Sequence, residues 1–152
     1  MFNRLKNLFD KADIDVGEED QLVMPTAAAM LLFEVAWADH EISDNEVTHI
    51  GQALTKLFEL TPVQVSQIVN NARNEHKEST SMYSFTRTIN ESFNQDEKTD
   101  LLTAMWQMAL SDTEIHKYEE HIIRKISELI YVSHSEFIRS KLLAKKRLAD
   151  QS

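Results

Sequence analysis

Two acidic stretches contain the side chains best suited to chemistry in this chain. The first, WADHEISDNE, runs from Trp37 to Glu46, and the second, LSDTEIHKYE, runs from Leu110 to Glu119. Carboxylate oxygens are the ligands that hard divalent cations such as Ca²⁺, Mg²⁺ and Mn²⁺ prefer. Carboxylates also cap helices, because they accept hydrogen bonds from the unpaired N–H groups of a first turn. The candidate metal ligands are Asp39, Glu41, Glu46, Asp112, Glu114 and Glu119.

The two stretches are copies of one pattern. Both read A-x-x-D-x-E-I-x-x-x-E-x-x-x-I, the first from Ala36 and the second from Ala109. A pattern repeated at this spacing predicts two copies of the same unit, each a helix, an acidic corner, a second helix and a capped third helix. We place the copies at about residues 25–78 and 95–148 and expect a pseudo-twofold axis between them.

Helical periodicity predicts the elements that position these corners. The run PTAAAMLLFEVAWA, over residues 25–38, is apolar almost all round, which is typical of a central helix buried by several neighbours. Ser43 and Glu46 form a capping box that begins the next helix, and Asn94 and Glu97 cap a second long helix. With only two Gly and two Pro to break helices, we predict one all-α bundle of seven or eight helices.

The first twenty residues are predicted to stand apart from the helical domain, which we place at residues 21–150. Phe2, Leu5, Leu8 and Phe9 form one side of a short amphipathic helix, and an acidic link follows it up to residue 20. This helix is short and carries few cations, so packing on its own domain or on a partner is favoured over peripheral membrane association.

Composition excludes several classes of function. A formal net charge of -9 opposes nucleic-acid binding, which depends on neutralising phosphates with Lys and Arg. The absence of cysteine excludes disulfides, thiolate metal sites and a cysteine nucleophile. No secretory signal is present, and no window approaches the ~18 apolar residues of a membrane span, so we expect a cytoplasmic protein. The basic segment from Arg139 to Arg147 is either a solvated last helix or a docking surface for an acidic partner.

The doubled corner pattern, in an all-helical chain of this length, resembles the TerB-like domain of bacterial tellurite-resistance proteins, which also occurs fused to J-domain cochaperones. The resemblance covers roughly residues 25–140. It implies an all-α bundle with acidic corners, associated in the family with divalent-metal binding and with stress-response complexes at the membrane. Family motifs often have Gly after the Asp, whereas this chain has His40 and Thr113. The family's motif acids fall on Asp39, Glu46, Asp112 and Glu119.

These residues are compatible with three functions. The first is a non-catalytic TerB-like binding or stress-response module that binds Ca²⁺, Mg²⁺ or Mn²⁺ at its corners and has no other cofactor. The second is a structural or adaptor domain for a protein partner, in which the acids are helix caps. The third is a carboxylate-bridged metal oxidase, suggested by the E-x-x-H pair of Glu46 and His49. Ile122 occupies the matching position after Glu119, so the second pair that such an enzyme needs is missing, and we predict no enzyme.

Overall fold

Seven α-helices make up the part of the chain that the computed structural model describes, which is residues 16–39, 42–76, 82–111 and 117–150. No strand occurs in these ranges, so the predicted all-α bundle is confirmed. The helix predicted within residues 1–10 lies outside the described residues. The helices are α1 (Val16–Ala36), α2 (Asp44–Phe58), α3 (Pro62–His76), α4 (Tyr83–Ser92), α5 (Gln95–Leu110), α6 (Lys117–Leu129) and α7 (His134–Asp150), with a 3₁₀ turn (Trp37–Asp39) directly after α1.

The helix α1 is central, as its apolar sequence predicts. It contacts α2, α3, α4, α5 and α6, so neighbours surround it on several sides. Phe33 and Ala36 are fully buried, as are Ala27 to Ala29. A helix with no polar stripe is stable only when every side is covered, and this packing covers it.

The start of α1 differs from the sequence prediction. The helix begins at Val16, so Pro25 lies inside it and residues 16–20 are helical instead of forming a link. The prediction began the helix where the apolar run begins, at Pro25, and assigned the acidic, Gly-containing residues up to Asp20 to a link. The acidic residues 18–20 suit the positive end of a helix dipole, which favours a start upstream of the proline. The domain boundary that we placed at residue 20 therefore falls inside α1.

Two capping boxes begin α2 and α5 as predicted. The Oγ of Ser43 accepts a hydrogen bond from the backbone N–H of Glu46 at 3.1 Å, and the Glu46 carboxylate accepts one from the Ser43 N–H at 3.0 Å. Asn94 and Glu97 make the same reciprocal pair at 2.8 and 2.9 Å. These bonds satisfy N–H groups that the start of a helix leaves without a helical partner.

The long helix α5 is the second centre of the core. Its Leu101, Leu102, Met105 and Trp106 are fully buried, and its main neighbour is α7. The rings of Trp106 and Phe137 meet edge to face, with centroids 5.5 Å apart. Among the helices of the described ranges, none has the length and apolarity needed to cross a membrane.

The two halves of the chain pack in a reciprocal way. Within the first half α3 packs against α1, and within the second half α7 packs against α5. Between the halves, α2 packs on α5 and α6 packs on α1. The residues that follow α2 and α6 include Glu59 and Tyr131, both with left-handed backbone at φ of 52° and 59°. This is the arrangement that two copies around a twofold axis produce, although the axis itself stays a prediction.

Candidate functional site

The first acidic stretch contacts residues of the second half of the chain. The 3₁₀ turn Trp37–Asp39, in the first stretch, packs against α6, whose first turn contains the last residues of the second stretch. The Nδ2 of Asn45 donates to the hydroxyl of Ser111, at 3.5 Å, and Ser111 directly precedes Asp112. The first stretch therefore contacts both Ser111 and α6, although these lie far from it in the sequence.

Glu46 is the acid whose surroundings the structure describes most fully. It lies in the first turn of α2, and only 6% of its surface is exposed. Its Oε1 accepts hydrogen bonds from the backbone N–H and the hydroxyl of Ser43, at 3.0 and 3.1 Å. A carboxylate has about four lone-pair positions, so a capping role and coordination of a cation are compatible in one side chain.

Glu119 is the counterpart of Glu46 in the second copy. It lies in the first turn of α6 and is 3% exposed, so it is buried slightly more deeply. Removing a carboxylate from water has a large desolvation cost, which hydrogen bonds, an ion pair or a bound cation must offset. The matched burial of Glu46 and Glu119 makes them the two fixed acids of the corners.

The other four predicted ligands lie at the edge of the described structure or beyond it. The backbone of Asp39 is described, as the last residue of the 3₁₀ turn, but its side chain is not. Glu41, Asp112 and Glu114 lie outside the described residues. Within the described part, no three His, Asp or Glu side chains form a group that could hold a metal ion. The metal site stays a prediction, and three carboxylate ligands would require at least one of these four acids.

The two residues of the E-x-x-H pair in α2 have different neighbours. Glu46 belongs to the capping box, whereas His49, half-buried and one turn further on, lines a cavity between α2, α5 and α7. The described residues supply no cluster of further ligands, which a carboxylate-bridged oxidase needs. The cavity was not predicted from the sequence, because its cationic residues Lys56 and Arg147 come from distant helices and form no motif.

The described residues define an all-α bundle in which the first acidic stretch contacts Ser111 and packs against α6. A family model described as "Tellurite resistance protein TerB" matches residues 25–142. The match covers well over half of the chain and includes both corners. The chain therefore belongs to the TerB family, which confirms the resemblance drawn from the doubled corner pattern. Comparisons with curated proteins and with solved structures return no match.

Proposed function

We propose that the protein is a non-catalytic TerB-like binding module whose adjoining acidic corners share a divalent cation. The observation that carries the proposal is the meeting of the corners through Asn45 and Ser111 and through the packing of the 3₁₀ turn on α6. Through these contacts, two stretches with the same acidic pattern would form one acidic surface. A shared cation would offset the repulsion between carboxylates of the two stretches.

The donor set supports a hard cation. Glu46 and Glu119 are buried carboxylates in the first turns of α2 and α6, and the remaining candidates are carboxylates as well. Ca²⁺ accepts six to eight oxygen ligands in a flexible geometry, and Mg²⁺ and Mn²⁺ also prefer oxygen. A cation bound here would fix the angle between α2 and α6. The protein surface offered to a partner would then depend on whether the cation is bound, which suits a stress-response module.

Calorimetric titration of the metal-stripped protein with Ca²⁺, Mg²⁺ and Mn²⁺ tests the proposal. We expect saturable binding of at least one cation, and we expect the double variant Asp39→Asn/Asp112→Asn to lose it. Glu97→Gln is the matched control, because Glu97 is also a capping acid but lies at the opposite end of α5 from the second corner. Flat titrations of the unaltered protein with all three cations would overturn the proposal.

A structural or adaptor domain is the second candidate function, and the capping box of Ser43 and Glu46 favours it. In that case the corner acids serve the helices alone, and a protein partner binds elsewhere on the bundle. Exposed apolar side chains on the basic helix α7, Ile138 and Leu142, support a docking role for that helix. Flat titrations together with a less stable Asp39→Asn/Asp112→Asn variant would favour this function over cation binding.

A further inference from the structure

A cavity of about 330 Å³ lies between α2, α5 and α7. This volume is at the lower end of the range that small-molecule sites occupy, roughly 300–1,000 Å³. Apolar atoms from all three helices line it, so an apolar group bound there would be removed from contact with water. The apolar lining residues are Ala53, Leu57, Ala104, Met108 and Leu148.

The polar side chains of the cavity carry an excess of positive charge. Lys56 enters its wall from α2 and Arg147 from α7, while Asp100 is the carboxylate among its described lining residues. Within the described structure, neither the Lys56 nor the Arg147 side chain makes an ion pair or a hydrogen bond with another residue. The chain has a net charge of -9, yet this cavity has two positive side chains without an ion-pair partner among the described residues.

We propose that this cavity binds a small organic anion with an apolar body. Lys56 and Arg147 would bind the anionic head, because charge-assisted hydrogen bonds to ammonium and guanidinium groups are the strong ones. The amides of Gln52 and Gln107, also in the wall, offer further donors to the head. The apolar lining would contact the body of the ligand, so the site would prefer such a ligand to inorganic anions, which have no apolar part.

Other ligand classes fit this cavity less well. A cationic ligand would meet two positive side chains, and a neutral apolar ligand would make no use of the charges of Lys56 and Arg147. Nucleic acid requires many phosphate contacts, whereas this cavity presents two cations in an acidic protein. The proposal does not depend on a cation at the acidic corners, and it is tested without one.

Phenyl phosphate is the probe for this site, because it combines an anionic head with an apolar ring. It is titrated into ¹⁵N-labelled full-length protein in the presence of a chelator, and the amide signals of Gln52 and Gln107 are followed by NMR. Inorganic phosphate lacks the ring, and benzyl alcohol lacks the charge. We expect saturable shifts with phenyl phosphate and binding at least about tenfold weaker with each of the other two.

Charge variants decide whether the cavity itself binds the probe. Lys56→Gln and Arg147→Gln should each weaken the binding of phenyl phosphate about tenfold, because each removes one charged hydrogen bond. Lys145→Gln is the matched control, because Lys145 is an exposed cation of α7 that does not line the cavity. It should change the affinity less than twofold. The proposal is overturned if no shift saturates, if inorganic phosphate binds equally well, or if Lys145→Gln weakens binding as much as Arg147→Gln.

Discussion

Asn45 at the start of α2 donates a hydrogen bond to Ser111 at the end of α5, with 3.5 Å between the nitrogen and the oxygen. The bond is long and exposed, so it adds little to stability by itself. Its importance lies in position, because Ser111 borders the second acidic corner and Asn45 belongs to the first. The contact brings together residues from two distant stretches of sequence that carry the same acidic pattern.

Crosslinking provides a direct check on this contact. The chain contains no cysteine, so the double variant Asn45→Cys/Ser111→Cys carries the only two thiols in the protein. We expect a short bismaleimide to join them within one chain, since the side-chain tips of Asn45 and Ser111 lie 3.5 Å apart. Mass spectrometry of a proteolytic digest would identify the linked peptides.

A second pair, Asn45→Cys/Ser92→Cys, serves as the control. Ser92 ends α4 beside Phe93, whose ring lies 5.9 Å from that of Phe58 at the far end of α2. Because a helix rises 1.5 Å per residue, Asn45 lies about 20 Å along α2 from Phe58, so Ser92 is at the far end of that helix. The control should not crosslink with the same reagent. Equal yields from the two pairs would contradict the placement of the corners.

What could be predicted from the sequence depended on how local each signal is. The capping boxes of Ser43 with Glu46 and of Asn94 with Glu97 act over three residues, so the pattern alone identified them. The start of α1 was predicted too late because the prediction followed the apolar run that begins at Pro25, whereas the helix extends upstream of that run into acidic sequence. The cavity escaped prediction because its walls come from three helices, and only packing brings them together.

Cation binding at the corners predicts a stabilisation that depends on Glu46. A ligand that binds the folded state alone stabilises it by about 2.7 kcal/mol at a hundred times its dissociation constant. In saturating Ca²⁺ we expect a higher Tm for the unaltered protein and for Glu97→Gln, and little or no rise for Glu46→Gln. Differential scanning calorimetry with chelator and with Ca²⁺ measures the difference. Equal rises for Glu46→Gln and Glu97→Gln would show that Glu46 does not bind the cation.

Trp106 lies in the core with a polar atom that lacks a partner. Its Nε1 is buried and makes no hydrogen bond within the described part of the chain. Trp106→Phe removes this donor and keeps an aromatic ring against Phe137 and beneath the ammonium of Lys141, which lies 5.0 Å from the ring. Relief of the unpaired donor, about 1–3 kcal/mol, offsets lost packing.

The expected cost of Trp106→Phe is therefore below about 2 kcal/mol, whereas Phe33→Ala, at the corresponding position of the first half, should cost about 3–5 kcal/mol. Phe33 is also fully buried, which makes it a suitable reference for a large deletion in the core. Urea unfolding followed by far-UV circular dichroism measures both without relying on tryptophan fluorescence. A loss above about 3 kcal/mol for Trp106→Phe would contradict this account of the indole.

Glu59 ends α2 in the left-handed region, with φ of 52°, and its N–H bonds to the carbonyl of Thr55. A residue with a Cβ is strained there by about 1–2 kcal/mol, whereas glycine is not. Part of the gain is lost because glycine makes the unfolded chain more flexible. We expect Glu59→Gly to stabilise the protein by about 0.5–1 kcal/mol, and Gln67→Gly, at an exposed interior position of α3, to cost about 1 kcal/mol. Thermal unfolding of both variants shows whether each substitution raises or lowers the stability. A destabilising Glu59→Gly would contradict the prediction.

The acidic corner and the cavity share the helix α2, which predicts that their ligands are coupled. Glu46 occupies its first turn, and His49 and Lys56 line the cavity further along the same helix. A cation that changes the angle of α2 changes the distance between Lys56 and Arg147 on α7, and with it the affinity for an anion. Coupling between two sites is reciprocal in binding free energy, with typical factors of about 5–150.

We therefore expect Ca²⁺ to change the dissociation constant of phenyl phosphate by the same factor as phenyl phosphate changes that of Ca²⁺. Calorimetric titrations in both orders measure the two factors, and chelation of Ca²⁺ by the probe is subtracted from titrations without protein. Glu46→Gln should abolish the coupling while leaving the affinity for phenyl phosphate in chelator unchanged. Unequal factors would point to an experimental artefact. If both ligands bind and neither changes the dissociation constant of the other, the two sites are not coupled through α2.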